Sequence, residues 1–239
     1  MKIYENEYFY ILREPFGEYQ TNCYLACNKE DETSLIIDPG INATEWVLSN
    51  AKNPLCILNT HGHFDHVWSN QELKEKLKIP LLCPYEDAFM LVNDCFSTGL
   101  PSSTPDILVG AKEKEEINTK TSQSHNINRQ NTFNFGAFNV KFSTYPGHTP
   151  GCSIITLSHQ KNPEEEIIFS GDFIFLNCIG RSDFPYSSHQ VMLESLQSFL
   201  ENIQKCKDTP IFPGHGEKTS TKSEIESIEY FIKRLSKIA

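Results

Sequence analysis

Residues 61–66 read His61-Gly62-His63-Phe64-Asp65-His66, three imidazoles and a carboxylate set directly behind the apolar run Leu55-Cys56-Ile57-Leu58 and its closing Asn59-Thr60. Imidazole nitrogen and carboxylate oxygen are the donors that zinc, iron and manganese take in hydrolytic centres. In a chain of 239 residues with 8 His, the pattern H-x-H-x-D-H arises by chance about 3 times in 10,000. It is therefore read as a metal motif. On a helix, His61 and His63 would point to opposite sides, so this is not the His-Glu-x-x-His arrangement of helical zinc sites; in a loop or extended turn both rings can converge. The plainer alternative is four polar residues that cap the helix behind them, a task Asp65 alone can perform.

Working outward, Tyr24-Leu25-Ala26-Cys27 and Ser34-Leu35-Ile36-Ile37, the latter closed by Asp38-Pro39-Gly40, read as strands. Ala43 to Ala51, Asn70 to Lys78 and Glu86 to Val92 carry apolar residues at three- and four-residue spacing and read as short helices. Residues 97–132 break the rhythm with Pro101, Pro105, a Lys/Glu cluster from Lys112 to Glu116 and a polar run from Asn118 to Asn131. This stretch reads as a surface insertion, a mobile loop or a substrate lid. Beyond it, Phe133 to Phe135 and Phe138 to Phe142 flank Gly136-Ala137 as a hairpin, and strands are expected at Ser153 to Leu157, Ile167 to Ser170 and Pro210 to Phe212. Helices are expected from His189 to Ile203 and from Ser223 to Ile238. Residues 1–239 are read as a single α/β (α+β) domain in which two strand-rich halves stack as sheets with helices outside.

Three later strand ends carry further donors. Tyr145-Pro146-Gly147-His148-Thr149-Pro150-Gly151 sets a His in a Gly/Pro turn, Ser170-Gly171-Asp172 sets an Asp after a strand, and Phe212-Pro213-Gly214-His215-Gly216 sets another His. Each alone is weak, but with the first run they supply enough donors for two metals. These blocks, in this order, resemble the metallo-β-lactamase superfamily, with Asp38 matching its first aspartate. The resemblance implies a four-layer αββα sandwich. It further implies that His61, His63 and His148 hold one metal, that Asp65, His66 and His215 hold a second, and that Asp172 bridges them. Asp38 would brace the ligands from outside. The metals expected are zinc, with iron or manganese accepted by the same donors.

Within that superfamily, β-lactamases commonly carry a cysteine where this chain has Asp172. The chain is most similar to the glyoxalase II group of thioesterases, in particular its short members without a C-terminal helical domain. The block Gly180-Arg181-Ser182-Asp183-Phe184-Pro185, followed by His189-Gln190, is typical of those. The resemblance implies hydrolysis of a small-molecule thioester, S-acylglutathione among the candidates, by a hydroxide bridging the two ions, with Asp65 and Asp172 as the catalytic carboxylates. Arg181 is a candidate to hold substrate carboxylates, or else pairs with Asp183. Tyr145 is a candidate to line the pocket, or else packs. A similar Gly-Arg-x-Asp-Phe block in persulfide dioxygenases of the superfamily implies an alternative, one iron on His61, His148 and Asp172. A non-catalytic metal-binding module is the third reading.

Composition bounds these readings. Lys+Arg of 21 against Asp+Glu of 31 leaves a net charge of −10, which speaks against nucleic acid and anionic membranes as partners. Met1 to Glu7 lacks the apolar core of a signal peptide. The 8 cysteines, without a C-x-x-C pair, read as core residues in a reducing cytoplasm rather than a disulfide framework or a thiol nucleophile.

Overall fold

A computed structural model describes residues 1–111 and 127–238. Two sheets carry the chain. The first holds β1 (Lys2–Glu5), β2 (Phe9–Phe16), β3 (Thr21–Asn28), β4 (Thr33–Ile37), β5 (Asn53–Leu58), β6 (Leu81–Pro84) and β7 (Ile107–Val109), side by side in that order. The second holds β8 (Gln130–Phe135), β9 (Phe138–Thr144), β10 (Ser153–His159) and β11 (Asn162–Gly171). A separate hairpin, β12 (Ile174–Phe175) with β13 (Cys178–Ile179), follows, and β14 (Pro210–Pro213) and β15 (Thr219–Ser220) complete the second sheet in the order β15-β14-β11-β10-β9-β8.

The period-two pattern of the strands decides how the sheets stack. Tyr24, Ala26, Leu35, Ile37, Cys56 and Leu58 of the first sheet share one core with Phe142, Ile155, Leu157, Phe169 and Phe212 of the second. The residues between them face outward. Cys23, Leu25, Ile36 and Ile57 pack under α1 (Thr44–Asn50), α2 (Phe64–Val67), α3 (Asn70–Leu77) and α4 (Ala88–Val92). Ile154, Ile168 and Ile211 pack under α5 (His189–Lys205) and α6 (Ile225–Leu235). Because both faces of each sheet are covered, the central strands are apolar throughout, and the result is the expected αββα sandwich.

Strand register brings the site together. β4 and β5 run parallel with Ile37 opposite Leu58, so Asp38 and Asn59-Thr60 emerge level with one another. In the second sheet β11 and β14 run parallel with Gly171 opposite Pro213, which sets Asp172 beside Gly214. Both pairs open on the same edge of the sandwich as the end of β9, which precedes His148.

Several elements differ from the sequence reading. β1 and β2 precede the first expected strand; their alternation is masked because Arg13 takes an inward position, where its guanidinium donates to Gly216 O (2.8 Å) and pairs with Glu217 (3.0 Å). The expected helix at 86–92 begins as a 3-10 turn, Tyr85–Asp87, before α4. Within 97–132, Ile107–Val109 is a strand paired to β6, with Val109 buried between the sheets, and β8 begins at Gln130. Part of that stretch is therefore built into the fold; the Lys112 to Glu116 cluster and the polar run as far as Asn126 lie outside the described residues. Among the described residues no helix is long and apolar enough to cross a membrane.

Candidate metal centre

The motif that opens the site changes conformation halfway along. His63 is extended (φ −66°, ψ 141°) and stands immediately before the first turn of α2, which carries Asp65 and His66. The extended half lets the His61 and His63 rings converge, with centroids 4.9 Å apart and nearly perpendicular, and His148 closes the group at 5.1 Å and 4.5 Å. No side chain caps α2, so Asp65 is free of the plainer role. Its Oδ2 instead accepts from Thr21 Oγ1 (2.7 Å) and lies 3.5 Å from His215 Nε2 and 3.6 Å from His66 Nε2.

Two donor groups containing the expected ligands result, His61 with His63 and His148, and Asp65 with His66 and His215, each with its ligand-type atoms within 4.8 Å of one another; Asp38 with His61 and His66 meets the same limit. Asp172 stands between them. Its Oδ2 is 3.4 Å from His148 Nε2 and 3.3 Å from His215 Nε2, and its Oδ1 is 3.3 Å from His66 Nε2. So close an approach requires Gly214, where a Cβ would lie 2.3 Å from Asp172 Oδ1 and 2.7 Å from the His66 ring.

The hydrogen bonds behind the rings dictate which nitrogen faces the centre. His148 Nδ1 donates to Arg181 O (2.7 Å) and His215 Nδ1 to Tyr19 O (2.9 Å); a carbonyl only accepts, so in the neutral form of both rings Nε2 carries the lone pair. His66 Nδ1 donates likewise to Asp38 Oδ2 (3.1 Å). Asp38 also accepts from Thr60 N (2.8 Å) and Thr60 Oγ1 (2.6 Å). Because the Thr60 hydroxyl gives its proton to Asp38, His61 Nδ1 at 3.1 Å must donate to Thr60 Oγ1, which again leaves Nε2 bare. Asp38 reaches both partners from a left-handed backbone (φ +48°) that non-glycine residues rarely adopt.

These donors fit a cation. His61 Nε2, His148 Nε2 and Asp172 Oδ1 are buried without a hydrogen-bond partner, a costly arrangement for polar atoms that have no further role. Burial, with the neighbouring imidazoles, pushes the pKa of His61 and His63 well below the usual histidine range, so both are neutral, the form that ligates. Burial, the largest single influence, opposes charge at His66 and His215 too, but there the Asp172 and Asp65 carboxylates, joined at His66 by Asp38, together outweigh it and both pKa values rise. The second group thus sits in a field that favours positive charge.

The two proposed substrate residues fare differently. Arg181 lines the cavity over the centre, yet its guanidinium is committed to Asp183 through two 2.9 Å bonds and lies 4.1 Å over the Phe184 ring. Tyr145 does not line that cavity. It is buried under α5, stacked on Phe173 at 4.9 Å, with its hydroxyl accepting from Asn202 (3.1 Å) and donating to Asn128 (3.3 Å). The reason is strand alternation: the β9 exit turns Tyr145 outward and His148, three residues on, toward the centre.

Asp87 has no counterpart in the sequence reading. Fully buried, it accepts from Gly62 N (2.9 Å) and Thr149 Oγ1 (2.6 Å) through Oδ2 and from Gly151 N (2.6 Å) through Oδ1. One carboxylate thereby ties the His61/His63 loop of the first sheet to the His148 loop of the second. Burial pushes its pKa up to about 6 against the pull of those three donors. Within a helical pattern at Glu86 to Val92, nothing local marks it.

The metallo-beta-lactamase superfamily matches residues 16–215, a span that contains every donor described above. The chain belongs to the metallo-beta-lactamase superfamily. Among its relatives in that superfamily, the hydroxyacylglutathione hydrolase GloC of Haemophilus influenzae is 28% identical over 89% of this chain and 93% of its own length. A probable metallo-hydrolase, YqgX of Bacillus subtilis, is 27% identical over 89% and 92%. The crystal structure of BLEG-1 B3 metallo-beta-lactamase superposes with a TM-score of 0.71 at 26% identity, covering 92% of this chain and 99% of that one. The metallo-beta-lactamase fold expected from the sequence is thus the one observed.

Proposed function

We propose that this superfamily member is a cytoplasmic thioester hydrolase of the glyoxalase II type, with two divalent metal ions, zinc expected, held by His61, His63, His148, Asp65, His66, His215 and a shared Asp172. The observation that carries the reading is the second donor group: Asp65, His66 and His215 lie within the same 4.8 Å limit as the first three, so the residues for a second ion stand together. The similarity to GloC supports the thioester chemistry.

Bound there, the ions would supply hydroxide from water near neutral pH and polarise the thioester carbonyl. The residues provide the rest. The Asp65 carboxylate, steadied by Thr21, would accept a hydrogen bond from the nucleophile and so orient it. Asp38, Thr60 and the Arg181 and Tyr19 carbonyls hold the His66, His61, His148 and His215 rings in one orientation, so that little reorganisation of these rings is needed during reaction. Water oxygen bonds to the acyl carbon, the C–S bond breaks, and the thiolate leaves with little assistance because thiols are acidic. The new carboxylic acid gives up its proton and the thiolate takes one up from solvent, so the products are a carboxylate and a free thiol.

Metal analysis together with thiol release from S-lactoylglutathione and oxygen uptake on glutathione persulfide tests the proposal. Two metal equivalents and thiol release are expected; one iron with oxygen uptake would overturn it in favour of a dioxygenase. Asp172→Ala should lose metal and most turnover, and normal content and rate in that variant would also refute the assignment.

A further inference from the structure

The cavity above the metal centre is about 600 Å³ and its wall is aromatic and apolar. On one side Tyr19 meets Phe64 at 5.5 Å, Phe64 meets Phe96 at 6.3 Å and Phe96 meets Tyr186 at 6.2 Å, a run of rings that reaches the His63 imidazole through Phe96 at 5.3 Å. On the other, Phe175 lies 6.0 Å from His215, and Phe184 lies 6.2 Å from both His63 and His148. Rings thus flank both donor groups.

Exposure points the same way. Among the described residues seven large apolar side chains are exposed; Tyr19 and Phe184 belong to this wall, Tyr186 packs beside Phe96, and Leu176 adjoins Phe175. An apolar patch concentrated at the mouth of a site marks what the site binds. The polar inventory of the wall is short. Its described Lys or Arg side chain is Arg181, already paired with Asp183, and Asp65 and Asp172 are taken up as proposed ligands. A substrate rich in carboxylates finds no free partner among these side chains.

Resting on the thioesterase reading, we infer that the acyl group of the natural thioester is apolar, a medium-chain alkyl or an aryl group, lodged between Phe64 and Phe96 on one side and Phe175 and Phe184 on the other. These four rings set specificity. A small hydroxyacyl group would leave most of the cavity wall in contact with water. An alkyl chain extending from a carbonyl at the donor groups removes that surface from water, and each added methylene is worth about a fourfold gain in affinity.

The test is a series of N-acetylcysteamine thioesters that share one thiol and differ in the acyl group: lactoyl, acetyl, butyryl, hexanoyl, octanoyl and phenylacetyl, hydrolysed by the metal-loaded protein. The expected kcat/KM climbs about fourfold per methylene from acetyl toward hexanoyl, and Phe96→Ala and Phe184→Ala each reduce the octanoyl-to-acetyl ratio about tenfold. A flat series, or one in which the lactoyl thioester is fastest, overturns the inference. Calorimetric binding of the non-hydrolysable S-octyl and S-methyl thioethers of N-acetylcysteamine to the unmutated protein separates the two readings. If the octyl thioether binds and no thioester is hydrolysed, the thioesterase reading fails and the apolar pocket stands. If neither thioether binds and Phe184→Ala converts a dimer to monomers, the rings form an interface between copies and the inference falls.

Discussion

A single carboxylate, Asp87, shows how the donor geometry depends on residues that touch no donor atom. It holds Gly62, between two proposed ligands, and Thr149, beside a third. Asp87→Asn keeps the shape but replaces one acceptor oxygen by an NH₂ group, so at least one of the three donors loses its partner. Metal affinity is expected to fall about 10- to 100-fold, as for other residues that orient ligands, measured by competition with a chromogenic chelator; unchanged affinity would show that the clamp is dispensable. The same group predicts a pH effect. Its folded pKa of about 6 lies above the ordinary 3.8, so between these values the folded state holds more protons than the unfolded state and stability falls as pH rises. Its contribution, about 3 kcal/mol as an order of magnitude, is complete below the ordinary value and lost as pH passes about 6. In denaturant melts of metal-free protein from pH 4 to 7, His61 and His63 contribute a slope of opposite sign, so the Asp87 effect is read as the stability difference between parent and Asp87→Asn, which should fall as pH rises toward 6.

Helix α5 does at the level of an element what Asp87 does at the level of a residue. Ser188 caps it, its side chain accepting from Val191 N (3.3 Å), while Ser188 N donates to Gly147 O (2.8 Å) and Ser195 Oγ to Pro146 O (2.6 Å). The helix therefore positions the turn that carries His148. Gly147 makes the contact possible: its φ is +136°, and a Cβ there would lie 2.5 Å from the Met192 Cα. Gly147→Ala forces helix and turn apart and should cost about 1–3 kcal/mol, seen as a lowered midpoint in thermal melts, together with weaker metal retention; a variant that melts and loads like the parent would sink this account. The periodicity of α5 was legible because it buries one face, and the apolar runs of β3 to β5, β10 and β11 because both faces of these strands are covered by a sheet or helix layer. β7 was not, since three apolar residues carry no period and become a strand only when β6 offers Leu82 opposite Ile107.

Across the whole molecule, the donors come from both sheets, His61 to His66 following β5 of the first and His148, Asp172 and His215 following β9, β11 and β14 of the second. An ion held there joins the two halves of the sandwich and binds the folded state alone. Removal by a chelator should therefore lower stability by about 4 kcal/mol if the metal had been present at a thousandfold over its Kd. That corresponds to a drop of about 10 °C in Tm for a chain of this size, measured by calorimetry before and after dialysis and reversed by adding the metal back. A chelated protein that melts unchanged would mean that no ion bridges the halves.

Sequence alone pointed to the candidate donors, because metal-ligand chemistry restricts them to few residue types and the motif packs four of them into six positions. It also determined the layer order, since alternating and fully apolar strands leave few ways to cover both faces of two sheets. Tertiary structure decided which side chains serve those donors. Asp87, Thr21 and Thr60 act through contacts between segments up to 64 residues apart, and no local pattern encodes a hydrogen bond across two sheets. It likewise moved Tyr145 out of the site and brought Phe64, Phe96, Phe175 and Phe184 around it, because ring positions over a cavity depend on how strand ends and loops meet rather than on spacing along the chain.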